Sequence, residues 1–383
     1  VVRVKETDSM PGATSAVGWR HKLRTDSSRE GQRRLIEVLQ MVAPGTELRE
    51  AVDRILQVGS GALIVAGDLS ELRPIMSGGF GIECEFTAPR LFELAKMDGA
   101  VVLSRDLGVI HSSNVHLVPD PAIPTHEAGM RHRTAERVAK QTKAYVLAIS
   151  EKMNTVSIYV GEEHFTLENI PLVLAKADQA LQTLSRYRAR LDKEFGQLNT
   201  LEIEDMVTLR DVIKVVERTE MVVRMAEEVR FQVSELGKDG RLVSLQLSEL
   251  MAGVSGARRM LIRDYYVPRD GSVTEDVLRG LENLTSEELT DDAVVAKALG
   301  YRGSQEVMSK VIRPRGYRVL SMLPSVPTSV VDKVVARFDN LKNIMRASPA
   351  LLDEVDGVGE RRALAIKEGL DRLAESIIID SYT

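Results

Sequence analysis

Three stretches of this chain hold residues whose types and spacing could do chemistry. Arg131-His132-Arg133-Thr134-Ala135-Glu136-Arg137 sets one imidazole between guanidiniums, just after Gly129 and just before a predicted helix. Arginine stays charged at any usable pH and forks onto phosphate oxygens; histidine donates one hydrogen bond, or two when protonated. A helix beginning near Thr134 would aim its N-terminal amides at the same anion. Upstream, Asp98-Gly99-Ala100 sets a carboxylate in a turn that glycine permits, where it could hold a metal or orient a hydroxyl, and Ala100 leaves room for a ligand to approach. Together these residues point to a polyphosphate site. Far downstream, Val355-Asp356-Gly357-Val358-Gly359 reads as a hairpin that grips a DNA backbone.

Each motif has a plainer alternative. Asp-Gly is a common turn dipeptide, and an Arg-His-Arg run can be a solvated face. His111 and His116 lie on strand-like segments and suit packing or surface roles, and neither they nor His126 stands at zinc spacing from another His or Cys. The chain has no Walker-A loop, dinucleotide fingerprint or Gly-x-Ser-x-Gly elbow. From the residues alone the site is an anion or nucleotide site.

The elements that must position these motifs fall into blocks. The chain has 383 residues, enough for two or three domains, with ordinary apolar (44%) and charged (28%) fractions. A net charge of −5 means that DNA contact must be local. One cysteine, Cys84, excludes an intrachain disulfide. No apolar run approaches the roughly 20 residues of a membrane helix, and no signal-peptide h-region opens the sequence, so a cytoplasmic location is expected. Residues 1–26, with the lone Trp19, read as a flexible tail. Leu35–Val42 and Leu48–Leu56 suit amphipathic helices stopped by Pro44-Gly45 and Gly59. Ala62–Ala66, Ala100–Leu103, Val109–Ile110, Tyr145–Ile149 and Val156–Val160 read as strands, with helices near Ala88–Lys96 and Thr134–Thr142. Asp106-Leu107-Gly108 suggests a hairpin and hence a mixed sheet. After Pro171 the pattern turns helical. Leu174, Ala177, Leu181, Leu184, Leu191, Phe195 and Leu198 form an apolar seam, broken by Arg188, that suits either an intramolecular bundle or a seam between subunits. Loops are expected at 237–240 and 268–271, and Pro314–Gly316 opens a last unit of short helices. The fold class is multidomain, α/β followed by all-α, with domains at 27–168, 169–312 and 313–383.

The ordered series Gly61-Ala62-Leu63-Ile64-Val65, Ser77-Gly78-Gly79-Phe80, Lys96-Met97-Asp98-Gly99-Ala100, Asn114-Val115-His116-Leu117-Val118-Pro119-Asp120 and Arg131–Arg137 resembles the diadenylate cyclase domain. The whole of residues 28–383 resembles the bacterial DNA integrity scanning proteins: cyclase domain, central helical spine and C-terminal helix-hairpin-helix domain. The resemblance implies condensation of two ATP into cyclic di-AMP with release of two pyrophosphates. It implies that Asp98 holds Mg2+ or Mn2+ and helps activate the ribose 3′-hydroxyl, that Gly99 and Ala100 line the ribose, and that Leu117 meets adenine through its backbone. Arg131, His132 and Arg133 would hold phosphates, with Thr134 beside them and Ser150 adding a hydroxyl. The family has Thr immediately before Arg-His-Arg; here Met130 stands there and cannot donate a hydrogen bond. The symmetric product needs two cyclase domains face to face, and the family implies a homo-octamer.

At the far end, the glycines of Gly357-Val358-Gly359 would bring backbone amides to a phosphate, Val358 would pin the turn, and Arg361 and Arg362 would add charge. Such contacts grip any sequence. The plain alternative is an αα-hairpin with a glycine C-cap. Leu320–Val335, including Leu323-Pro324-Ser325-Val326-Pro327, reads as a degenerate partner hairpin. The family resemblance implies that branched DNA lowers cyclase output. Two other functions fit the residues: a non-enzymatic ATP-sensing binder of DNA structures, and a nucleotidyltransferase acting on DNA ends.

Overall fold

The computed structural model describes residues 26–381 apart from 270, 272, 303–304 and 324–325. The expected tail, with Trp19, lies outside the described residues, as do Pro324 and Ser325 of the upstream hairpin. By its contacts the chain divides into two compact units. One runs to Gln179 and takes in Val229–Leu245; the other comprises Ala180–Glu228 and Gln246–Thr383.

The first unit begins with helices α1 (Asp26–Met41) and α2 (Glu47–Gln57), the second capped by the Thr46 side chain. The chain then runs through β1 (Ala62–Ala66), a short helix α3 (Leu69–Leu72), β2 (Met76–Ser77), β3 (Phe80–Glu85), α4 (Ala88–Leu94), β4 (Ala100–Leu103) and β5 (Val109–Leu117). Helix α5 (Met130–Gln141) leads into β6 (Tyr145–Ser150), β7 (Thr155–Val160) and β8 (Glu163–Thr166). The sheet order is β2-β5-β4-β1-β6-β7-β8, with β3 also on β5. Only β1 and β4 pair in parallel, so the sheet is mixed, as the Asp106-Leu107-Gly108 hairpin implies.

Residues alternate between two cores, as the pleat dictates. Ile64, Val101, Leu147 and Ile158 pack with α1, α2 and α4 on one face. Leu63, Val102, Val146 and Tyr159 pack with Ala135, Val138 and Ala139 of α5 on the other. Helices on both faces explain why Ala62–Ala66 is buried throughout and reads as a continuous apolar run.

Two sequence expectations are corrected here. Helix α5 starts at Met130, not near Thr134, so Arg131, His132 and Arg133 project from its first turn. The start is hard to read because the cap, Gly129, has no side-chain acceptor and the apolar period begins only at Ala135. Strand β5 runs to Leu117 rather than ending at Ile110. Its polar stretch His111–Asn114 hides the alternation, and register shifts against β3 and β4 bend it further.

In the helical region, α6 spans Ile170–Ile203 and α7 spans Leu209–Leu236. The predicted seam is buried within the chain at Ala177, Leu181, Leu184, Leu191 and Leu198, joined by Val173, while Leu174 and Phe195 are half-buried. Arg188, the break in the seam, donates to the carbonyls of Leu250 and Ala252 at the end of α8 (Arg241–Leu250). No helix among the described residues is long and apolar enough to cross a membrane.

Helix α9 (Val254–Tyr265) ends beside the last block of the second unit. Buried Asp264 accepts from the amides of Gly316, Tyr317 and Arg318 at 2.7, 2.7 and 2.9 Å. Arg315 donates to the carbonyls of Arg263, Asp264 and Tyr266, and the Arg318 guanidinium reaches Asn199 and Glu202. Helices of that block include α10 (Tyr317–Ser321), α11 (Thr328–Phe338), α12 (Pro349–Asp353) and α13 (Gly359–Ser381). A separate apolar core, including Val331, Ile344, Leu352, Val358 and Ile366, holds them together.

Candidate functional site

Strand register gathers the site at one end of the sheet. Leu63 pairs with Ala100, Ala62 with Ile149, Ala100 with Val115, and Met76 with Leu117. The starts of β1 and β4 therefore lie beside the ends of β5 and β6. That single end carries Gly61, the Asp98-Gly99 turn, Leu117 and Ser150.

Asp98 is exposed, and it is its backbone carbonyl, not its carboxylate, that accepts from Asn114 Nδ2 at 2.7 Å. The turn needs glycine next. Gly99 has φ +86°, and a Cβ there would come within 2.9 Å of the Asn114 and Val115 backbone. Ala100 follows, 1% exposed as a whole residue and packed in the core. Leu117 is buried too, at 5% exposure, at the end of β5. Ser150 Oγ accepts from the Met153 amide at 3.3 Å, a bond that does not use the hydroxyl's own proton.

Arg131 reaches this end from α5. Its Nη1 lies 3.2 Å from the Ile149 carbonyl, and a Cβ on Gly61 would collide with the guanidinium. Gly61 thus vacates the space that the arginine fills. Met130 heads the helix with 83% of its surface exposed. Thr134, half-buried, sits one turn further along. Arg133 Nε donates to the Glu127 carbonyl at 2.7 Å, so part of this side chain ties down the preceding loop. Arg137 does the same through the Ile123 carbonyl at 2.9 Å. Glu136 accepts from Thr125 at 2.5 Å and pairs with Lys140 at 2.8 Å. Burial pushes the Glu136 carboxyl up, but the hydrogen bonds from Lys140 and Thr125 outweigh it and hold the group below its usual range.

His132 has its partner on β7. Its Nδ1 is 2.9 Å from the Tyr159 hydroxyl, which donates to Glu127 Oε1 at 2.9 Å. The Tyr159 ring stacks on His164 with centroids 4.6 Å apart. Sequence reasoning missed Gly61, Asn114, Glu127 and Tyr159 as site-shaping residues. Gly61 and Asn114 do stand in the motif series quoted above; Glu127 and Tyr159 carry no local signal, because Tyr159 lies 27 residues from His132 and 32 from Glu127. Among the described residues no group of three or more His, Cys, Asp or Glu could hold a metal ion.

At the far end, α12 and α13 flank the predicted turn. Gly357 and Gly359 take left-handed φ of +86° and +62°, and Val358 is 2% exposed in the local core. Arg361 and Arg362 are exposed, and Arg362 Nη1 donates to the Gly357 carbonyl at 2.6 Å. Lys333, on α11, lies beside the turn and pairs with Asp356 at 2.5 Å; it too was missed. Helices α10 and α11 precede and follow the upstream segment, whose Pro324 and Ser325 lie outside the described residues.

Two family models match the chain: the DisA bacterial checkpoint controller nucleotide-binding region over residues 49–164, and the linker region of the same controller over residues 167–308. The chain is 46% identical over 342 residues to a DNA integrity scanning protein DisA of Carboxydothermus hydrogenoformans, covering 89% of this chain and 97% of that one. It is 49% identical to the protein of that name from Parafrankia sp., covering 90% and 96%. For the one from Acetivibrio thermocellus the identity is 46%, covering 93% and 99%. With that identity sustained along nearly the full length of its relatives, the chain belongs to the DNA integrity scanning protein family, and its sheet carries that family's nucleotide-binding diadenylate cyclase domain.

Proposed function

We propose that this chain condenses two ATP molecules into cyclic di-AMP and two pyrophosphates at the end of the sheet that carries Asp98, Leu117, Arg131 and Ser150. The observation that carries the reading is the convergence there of the exposed Asp98 carboxylate, an arginine seated in the space of Gly61, the Ser150 hydroxyl and the first turn of α5. Arg131, His132 and Arg133 bind phosphate oxygens, and the unpaired amides that open α5 add their partial positive charge. Gly99 and the Ala100 main chain line the ribose, and the Leu117 backbone meets adenine. Thr134 stands beside the phosphates, and Ser150 donates to them.

In each half-reaction a ribose 3′-oxygen attacks an α-phosphorus. A new P–O bond forms, the bond to pyrophosphate breaks, and the hydroxyl proton leaves. Negative charge spreads over the non-bridging oxygens, where fixed cations stabilise it most. Asp98, exposed and with no group of three or more His, Cys, Asp or Glu around it among the described residues, would supply one carboxylate to a divalent ion such as Mg2+ or Mn2+, and the nucleotide would have to supply other ligands. When bound, that ion would lower the proton affinity of the hydroxyl and neutralise phosphate charge. Two such sites must face one another, so catalysis requires a symmetric pair of subunits, and an octamer satisfies this.

The relatives are named for DNA integrity scanning, and the hairpin at Gly357-Val358-Gly359 suits a phosphate backbone. We read the chain as three domains, 27–168, 169–312 and 313–383, with DNA bound by the last and branched DNA lowering cyclase output. The family ranges at 49–164 and 167–308 support the division. A cytoplasmic location, where both ATP and DNA are found, fits this function. One assay tests the reading: labelled ATP with Mg2+ or Mn2+, with and without a four-way DNA junction, and identification of products. Cyclic di-AMP that falls on adding the junction is expected. ATP bound without turnover would instead support a non-enzymatic sensor.

A further inference from the structure

We infer that Asn114 is a positioning residue for the cyclase reaction: its side-chain amide fixes the peptide that follows Asp98, and with it the direction in which the Asp98 carboxylate is presented. This deepens the proposed function and rests on its reading of Asp98. The contact is a hydrogen bond from Asn114 Nδ2 to the Asp98 carbonyl at 2.7 Å, between residues 16 apart in sequence.

A β-bulge makes the contact possible. Ala100 pairs with Val115 and Val102 with Ser112, so Ser113 and Asn114 together oppose the single residue Val101. An extra residue of this kind interrupts the ladder and re-aims a side chain. Asn114 takes φ +57°, in the left-handed region that asparagine enters more readily than most residues. In a regular strand, neighbouring side chains leave on opposite faces. Here two consecutive side chains serve one connection. Ser113 Oγ donates to the carbonyl of Leu94, the last residue of α4, at 3.3 Å, and Asn114 Nδ2 donates to the carbonyl of Asp98, just before β4.

The same three residues of β5 receive two glycine turns. A Cβ on Gly99 would come within 2.9 Å of the Asn114 carbonyl carbon and the Val115 carbonyl oxygen. A Cβ on Gly79, between β2 and β3, would come within 2.9 Å of the Ser113 carbonyl oxygen. Both glycines take left-handed φ, +86° and +87°. Close packing of this sort sets distance but tolerates a rotated peptide. A hydrogen bond to the Asp98 carbonyl sets the plane of the Asp98–Gly99 peptide as well. The exposed Asp98 side chain leaves from the carbon next to that carbonyl. Asn114 therefore orients the residue without using either carboxylate oxygen, and both remain for an ion or a hydroxyl.

The test uses the full-length protein. Asn114→Gly keeps the left-handed backbone and removes the amide. Asn114→Asp keeps the shape and the left-handed preference and loses the N–H donor. Each is compared with the parent and with Asp98→Asn by steady-state kinetics of cyclic di-AMP formation. Calorimetric titration with adenosine 5′-(α,β-methylene)triphosphate and a thermal melt accompany the kinetics. For Asn114→Gly we expect kcat to fall about tenfold while KM and analogue affinity stay within about twofold, because the interaction acts on the reacting group and not on nucleotide binding. Asn114→Asp should lose at least as much kcat. If Asn114→Gly fails to fold, Asn114→Asp decides alone. Parent-like kcat in the folded variants overturns the inference. So does a loss of kcat that comes only with a matching loss of analogue affinity or a large fall in Tm, which is what a merely structural contact would give. Near-normal turnover by Asp98→Asn removes the reading of Asp98 and this inference with it. An impaired Asp98→Asn beside parent-like Asn114 variants removes the inference alone.

Discussion

The guanidinium of Arg131 occupies the volume that a side chain at position 61 would need. A Cβ built on Gly61 overlaps Arg131 Nη1, and the same nitrogen lies 3.2 Å from the Ile149 carbonyl. One residue before β1 thus sets the reach of an arginine on α5, 70 positions further along the chain.

Gly61→Ala should therefore displace Arg131 rather than unfold the sheet, because the clash is with the end of a flexible side chain. We expect ATP binding to weaken about tenfold, or about 1.4 kcal/mol, with little change in Tm. Calorimetric titration with a non-reacting ATP analogue, beside a thermal melt, checks both. A large drop in Tm with unchanged affinity would refute it.

Asp98→Asn should reduce cyclic di-AMP formation by at least about a hundredfold while ATP still binds. The fold should survive, since Asn114 holds the backbone carbonyl of Asp98 and not its carboxylate. Near-normal turnover in the presence of Mg2+ or Mn2+ would remove Asp98 from the mechanism.

Met130→Thr should equal or raise turnover, by up to about tenfold if the new hydroxyl reaches a phosphate. Stability should hardly move, because the side chain is 83% exposed at the first position of α5. Steady-state kinetics decides; a several-fold loss would show that the site is adapted to methionine.

At the hairpin, Arg361→Ala and Arg362→Ala should weaken binding to all DNA sequences alike. Each should lower the salt slope by about one unit for every phosphate it no longer neutralises. Arg362→Ala should cost more, because Arg362 also holds the Gly357 carbonyl. Asp356→Asn should strengthen binding a few-fold by freeing Lys333. Point variants suit this test better than removal of residues 314–383, which would strip buried Asp264 of three amide donors. Filter binding of a four-way junction at several salt concentrations gives the slopes. Equal slopes in every variant would exclude these side chains.

Glu235 supplies a pH dependence. It is 4% exposed, and burial pushes its pKa up to about 7, although it accepts the Glu168 amide at 3.0 Å. Its folded-state value lies above the ordinary 4.5, so the folded protein binds the extra proton between about pH 4.5 and 7. Stability from this group is present below that window and falls as pH rises through it. Glu235→Gln keeps the acceptor and removes the titration. Over that window the parent should lose up to about 3 kcal/mol relative to the variant, measured by urea unfolding at each pH. Parallel profiles would count against it.

Much of this protein is legible in one dimension. Ala62–Ala66 and Ala100–Leu103 match their observed bounds because strands buried on both faces read as unbroken apolar runs. Pro44-Gly45, Gly59 and Gly357-Val358-Gly359 punctuate the chain by backbone constraint alone. The motif series carries the family, and with it the diadenylate cyclase assignment. The first turn of α5 was illegible, because a glycine cap and three polar residues give neither a cap signal nor a period. The Gly61–Arg131 fit, the Tyr159 link between His132 and Glu127, and Lys333 beside Gly357 were decided only by tertiary structure. Each joins residues far apart in sequence through strand register or helix packing, and no local pattern records a contact that exists only after the chain has closed on itself.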